Sequence, residues 1–287
     1  MKRKPGDRRD GTLVRNEDSM HVIMPLMYPN RCDNEAFMSV IVDMTAIDAF
    51  LSEKNRDNPE YPYKVFQLVV CAMLKTLVLR PKMNRFIANQ RLYQRNCITS
   101  AFTIKKIFRD NGDEALARLE VDGEDTLASI HDKIFRQVSF CRSDSKDQST
   151  ESMDTLQKLP GFLLKIVGCV ARALDKRGLM PASVVATDPY QTSVVLSNIG
   201  SLKMKCGYHH LTNWGTTSII CLIGEITERP FRIEGKTEYR RSLELGLTID
   251  ERIADGFYYA KTIRLLKKLL ENPALLEEPL SAAVETE

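Results

Sequence analysis

The chain has 287 residues, with 41 Lys and Arg against 38 Asp and Glu, a formal net charge of +3. So even a balance argues against nucleic acid as a partner, while 43% hydrophobic residues suffice for a real core. Seven widely spaced cysteines (Cys32, Cys71, Cys97, Cys141, Cys169, Cys206 and Cys221) contain no CxxC pair. That pattern speaks against a disulfide framework or a metal site, and for reduced thiols in a cytoplasmic protein.

Residues 1–20 carry Lys2, Arg3, Lys4, Arg8, Arg9 and Arg15 against Asp7 and Asp10, and read as a basic, solvated N-terminal arm. No apolar run follows those charges, so no signal peptide is expected. Residues 36–44 read as a strand, and Thr45 as the N-cap of a short helix carrying Ile47, Phe50 and Leu51. Residues 65–79 are apolar on nearly every side, as a helix packed between layers is, and Arg80-Pro81 stops it. Residues 86–88, 91–94 and 99–108 have the look of short strands.

Leu127, Ile130, Ile134 and Val138 recur at three- and four-residue steps and mark an amphipathic helix. His131 reads as surface on that helix, and His21 carries no signal. Residues 142–152 read as a mobile loop, and 153–176 as a helical region broken at Pro160-Gly161. The apolar segments 65–79 and 162–174 are too short to span a bilayer and are interrupted by Lys75, Lys165 and Arg172. Residues 194–197, 218–223 and 243–249 read as strands, and 257–271 as a final helix ended by Asn272-Pro273. The expected organisation is a basic arm (1–20), one domain (21–275) and a loose acidic tail (276–287), with a mixed sheet carrying helices on one face.

Residues 247–273, LTIDERIADGFYYAKTIRLLKKLLENP, resemble the closing segment of chloramphenicol acetyltransferases and of the acyltransferases of 2-oxo acid dehydrogenase complexes. That family has a strand, then Asp-His-Arg-x-x-Asp-Gly, then a leucine-rich helix often ending in Glu-Asn-Pro. Asp250, Arg252, Asp255, Gly256, Glu271, Asn272 and Pro273 fall in place. Residues 195–200 are similar to the family's Ile-Ser-Asn-x-Gly strand, residues 80–84 to its Pro-x-Leu-Asn element, and residues 36–46 to its first strand and turn. The resemblance implies a chloramphenicol-acetyltransferase-like α+β fold, a two-layer arrangement of mixed sheet and helices that forms trimers. It also implies acyl transfer between coenzyme A and a small acceptor at the trimer interface. No lipoyl group on this chain and no cage beyond the homotrimer are expected.

Glu251 stands where the family's active-site histidine belongs. A histidine suits proton removal because its ordinary pKa lies near neutrality. A solvated glutamate, ordinarily near 4.3, is a weak base for thiols or alcohols unless burial raises it. Free dihydrolipoamide is accordingly expected to be a poor acceptor. His209 and His210 lie in a stretch that the resemblance places along the substrate channel, so a histidine of one subunit is expected to meet Glu251 of the next. Ser197, Asn198 and Asn213 are candidate lining residues, and Lys203 and Lys205 candidates for coenzyme A phosphates.

Bland readings stand beside these. Asp255 is either a plain N-cap or, as the resemblance implies, an ion-pair partner that steadies the catalytic loop, with Arg31 as its candidate arginine. Arg252 is taken as a fixture of the same loop. Gly256 is expected to allow close backbone approach. Ser197, Asn198 and Gly200 also suit a simple turn, and the two histidines a polar loop. With Glu251 a relic, the chain is instead an inactive homologue acting as a metabolite- or protein-binding trimer.

Overall fold

The computed structural model describes residues 3–105, 114–142 and 159–285. Ten strands and seven helices are seen among them. Seven strands form one mixed sheet: β2 (Glu35–Asp43), β10 (Lys236–Asp250), β8 (Ile219–Ile223), β7 (Val194–Asn198), β5 (Ile98–Lys105) and β6 (Glu114–Val121) lie in that order, and β9 (Thr227–Ile233) pairs with the first half of β10. Strands β5, β7 and β8 run parallel to one another, and the other pairs are antiparallel. A small separate sheet joins β1 (Gly11–Leu13), β4 (Arg91–Arg95) and β3 (Arg85–Ala88).

Period-two alternation sorts the residues of the large sheet between its faces. Leu243, Leu245, Leu247 and Ile249 of β10, with Ile219, Cys221 and Ile223 of β8, join the core beneath the helices. That layer contains α2 (Thr45–Lys54), α3 (Val65–Leu79), α4 (Leu127–Arg142) and α7 (Gly256–Glu271). The all-apolar reading of residues 65–79 holds, since α3 is buried from Gln67 to Leu77. On the opposite face Ile220 and Leu222 pack under Leu211. The remaining helices are α1 (Ser19–Met27), α5 (Gly161–Lys176) and the short α6 (Ala182–Thr187).

Several expectations need correction. Thr45 is the first residue of α2 rather than its cap, and the Asp43 carboxylate accepts from its N–H at 2.9 Å. Strand β9 and the outer half of β10 form a hairpin whose polar, alternating sequence hid it. Its two-residue turn, Glu234-Gly235, takes positive φ at both positions, as hairpin twist requires. His131 is buried rather than superficial, because Tyr63 stacks on it at 3.9 Å and Tyr61 lies beside it at 4.7 Å. His21 is buried as well. Residues 106–108, the expected mobile loop beyond Arg142 and the start of the next helical region lie outside the described residues.

Neither end behaves as a loose tail. In the basic segment β1 pairs with β4, and Arg8 is buried with its guanidinium on Asp10 and on the carbonyls of Asp175 and Lys176. At the other end Leu276 and Leu280 are fully buried. Lys75, buried in α3, donates to the carbonyls of Leu275 (2.8 Å) and Pro279 (2.9 Å). Burial lowers the pKa of this ammonium, and Glu278 counters part of that. Lys75→Ala strips the donor from those carbonyls and leaves a cavity, so stability should fall by about 2–4 kcal/mol. Urea denaturation measures this, and a loss below about 0.5 kcal/mol would show that the segment docks without Lys75.

Candidate active site

One corner of the molecule is built around Asp250, the last residue of β10. Its carboxylate is fully buried and accepts from Arg252 through Nε at 2.8 Å and Nη2 at 2.7 Å, a two-pronged pair. The third arm of Arg252 donates to Tyr28 O at 2.7 Å. Arg31 approaches the same carboxylate from the other side, Nε to Oδ2 at 3.5 Å. Burial lowers the pKa of the Arg31 guanidinium, and Asp250 pulls it back up. The Tyr259 hydroxyl donates to Asp250 O at 3.0 Å, and burial pushes that phenol up.

The expected partnership of Asp255 with Arg31 is therefore replaced. Asp255 is exposed and caps α7, accepting from Tyr258 N at 2.8 Å, which is the plain reading. Asp250 takes the arginines because it alone is buried among them. Gly256 opens α7 with nothing within reach of a Cβ, so no close approach requires it. That role belongs to Gly246, where a Cβ would come within 2.0 Å of Gly207 O. Gly246 lets the chain from Cys206 onward lie flat across β10.

That crossing segment carries the two histidines. Tyr208 meets Phe37 edge to face at 5.3 Å, Leu211 plugs the sheet, and Glu35 accepts from Leu211 N. Arg31 donates to the carbonyls of Thr212 (2.7 Å) and Gly215 (3.1 Å), and Asn213 accepts from Arg31 N at 2.7 Å. Asn213 thus fastens the segment. Glu251 N donates to Asn34 O at 2.9 Å, and Asp250 faces Glu35 in the strand register. Glu251 and the histidines accordingly belong to the same corner of the same chain. All three are exposed, and no hydrogen bond joins the Glu251 carboxylate to either ring among the described residues.

The rings are held in one particular way. His209 Nδ1 lies 2.9 Å from His210 O, and His210 Nδ1 lies 2.9 Å from Leu211 O. A carbonyl oxygen only accepts, so each Nδ1 is the donor, which in the neutral ring leaves the lone pair on Nε2. The rings stack with centroids 4.6 Å apart. Both Nε2 atoms thus sit on an exposed segment whose rings are tethered to the backbone.

Ser197 and Asn198 lie elsewhere. They end β7, whose partner Ile223 marks the end of β8 remote from Glu251. The length of β8, about 15 Å, separates the two places within one chain. Ser197 and Asn198 line a cavity of about 350 Å3 together with Tyr61, Lys64, Gln67 and Phe102. Asn198 also fixes a turn by accepting from Ser201 N at 3.2 Å. The lining roles of Tyr61, Lys64 and Gln67 were not visible in the sequence, because a loop and a helix start bring them to the cavity from more than 100 residues away. Lys203 and Lys205 follow the turn, exposed and without ion-pair partners among the described residues.

Residues 179–277 match the family model of the 2-oxoacid dehydrogenases acyltransferase (catalytic domain). The chain has that acyltransferase fold. A probable dihydrolipoamide acetyltransferase from Listeria monocytogenes is similar at 16% identity and a TM-score of 0.59, over 93% of this chain and 96% of that one. The cubic core of a pyruvate dehydrogenase multienzyme complex gives 16% identity and 0.60, over 92% and 94%. A chloramphenicol acetyltransferase gives 12% and 0.58, over 91% and 99%. No curated protein sequence matches the chain. The matched segment contains Ser197, both histidines, Glu251 and the Asp250–Arg252 pair.

Asp250→Asn keeps the shape but leaves two buried guanidiniums facing a neutral amide. Breaking a buried pair this way should cost about 3–5 kcal/mol. Urea unfolding checks it, and a loss under about 1 kcal/mol would show that the arginines are held by their carbonyl partners alone.

Proposed function

We propose that this chain transfers an acyl group between coenzyme A and a small acceptor, at a site completed between copies of a homotrimer. The observation that carries this reading is the tethering of both imidazoles through Nδ1, which leaves Nε2 ready to take a proton. The family match and the fold support acyl transfer as the reaction class. The separation of Glu251 and the histidines from Ser197 within a chain supports an intermolecular site. So does the apolar surface that α1, packed on the turn Glu251–Ile253, leaves exposed at Met20, Ile23, Leu26 and Met27, with Phe37, Tyr208 and Phe257 exposed as well.

In this reading Nε2 of His209 or His210 removes the proton from the acceptor nucleophile, which attacks the thioester carbonyl. The coenzyme A thiolate leaves and recovers the proton from the imidazolium. The Ser197 hydroxyl of the adjacent copy donates to the oxyanion. Glu251, exposed and too weak a base alone, stabilises the imidazolium. Lys203 and Lys205, and Lys64 at the cavity, offer charges to the phosphates of coenzyme A. Asn198 and Asn213 shape the two half-sites through the turn and the histidine segment.

Acetyl-coenzyme A turnover with a panel of amine, alcohol and thiol acceptors tests the proposal, with light scattering for the mass. A mass of three chains is expected. Replacing His209 and His210 together by Asn should lower kcat about 100–10,000-fold, and Ser197→Ala about 10–1,000-fold, with the trimer intact. Glu251→Gln should lower kcat more than it alters coenzyme A binding. Binding of coenzyme A with no turnover of any acceptor, or no binding at all, would favour the non-catalytic reading, to which the Glu251 carboxylate points, being exposed and without a hydrogen bond among the described residues.

A further inference from the structure

Helix α5 packs lightly, with Asp175 its one buried residue. Phe162, Ile166 and Val170 stand four apart and are 65%, 55% and 53% exposed. That spacing aligns them in one row along the helix. Lys165, Arg172 and Lys176, all exposed, form a second row beside it. Asp175, the only acid in the helix, is turned inward, its carboxylate accepting from Gln191 Nε2 at 2.7 Å and Gly215 N at 3.1 Å. The outward face therefore presents apolar groups and cations, with no anion among them.

A second group of cations is fastened to the same helix. Arg8 Nη1 donates to Asp175 O at 2.8 Å and Lys176 O at 3.2 Å, which fixes the basic segment at the C-terminal end of α5. Arg9 is exposed beside that end, and Arg3 and Lys4 are exposed earlier in the same segment, none in an ion pair among the described residues. A two-fold contact of α5 with α5 of another copy would set cations against cations. An anionic lipid surface satisfies both rows at once, taking the apolar row into the acyl boundary and the cations at the headgroups. No helix among the described residues is long and apolar enough to cross a membrane, so α5 would lie in the plane of the surface.

We propose that α5, together with the basic N-terminal segment, binds the surface of a bilayer containing anionic lipid. The test is sedimentation of the full chain with vesicles of phosphatidylcholine alone or mixed with phosphatidylserine. The protein should pellet with the mixed vesicles, be released by raised salt, and stay in the supernatant with neutral ones. Ile166→Glu with Val170→Glu should abolish pelleting, and Lys165→Glu with Arg172→Glu should weaken it at least about ten-fold. Both variants should keep the oligomeric mass. No pelleting of the unmodified chain, or equal pelleting with both vesicle types, would overturn the proposal. Loss of oligomeric mass in the first variant, with helix content unchanged, would also overturn it by assigning the face to contacts between copies.

Discussion

The Asp250 carboxylate lies between two buried guanidiniums, and the functional corner is arranged around that contact. Taking these ions out of water costs several kcal/mol each, returned only where geometry and further hydrogen bonds are good. Arg252 meets the carboxylate with two parallel bonds and ties Tyr28 O. Arg31 spends its remaining donors on the carbonyls of Ile87, Thr212 and Gly215. One carboxylate thereby joins the end of β10, the segment before β2, the small sheet and the chain that follows the histidines. A cluster of this kind adds little net stability over an apolar core. What it contributes is position, because strand end, loop and histidine segment cannot move separately.

The proposed consequence is a half-site. The corner holds two imidazoles tethered through Nδ1 and an exposed carboxylate, while the Ser197 hydroxyl lies at the other end of β8 beside its own cavity. A single chain cannot close that distance by rotating side chains. Assembly can, and the exposed apolar side chains of α1, Phe37 and Tyr208 give the corner a surface that favours it. In the proposed reading, imidazoles from a neighbouring segment take the part that the resemblance gives to a histidine at position 251.

Much of the fold was legible because the buried elements carry strong periodic patterns. Helix α3 was bounded to the residue, since its apolar run is closed by Arg80-Pro81. The β9–β10 hairpin was missed because its half-buried face mixes Thr227 and Arg229 with Phe231 and Ile233, so alternation carries little hydrophobic signal. The two ends were misjudged for a related reason. Charge composition marks Arg8 and the segment 276–280 as solvated, yet carbonyls of distant elements accept from Arg8 and Lys75 and satisfy both cations in their buried places. Such partners lie 167 and 204 residues away and leave no trace in local sequence. His131 looked superficial because the tyrosines that cover it belong to another segment. At the site, the motif located Asp250, Glu251 and Arg252, but nothing in it said which aspartate would be buried.

The central claim is that one copy's histidine segment and the next copy's Ser197 cavity make a single acyl-transfer site. A crystal structure of the assembled protein with coenzyme A tests it most directly, through the distances from the thiol sulfur to Nε2 of His209 and His210 and to Ser197 Oγ. The account predicts that one Nε2 from one copy and Ser197 Oγ from its neighbour lie within about 4 Å of the sulfur or of the site of the acyl carbonyl. Coenzyme A bound elsewhere, or both histidine rings facing bulk solvent in every copy of the assembly, would contradict it.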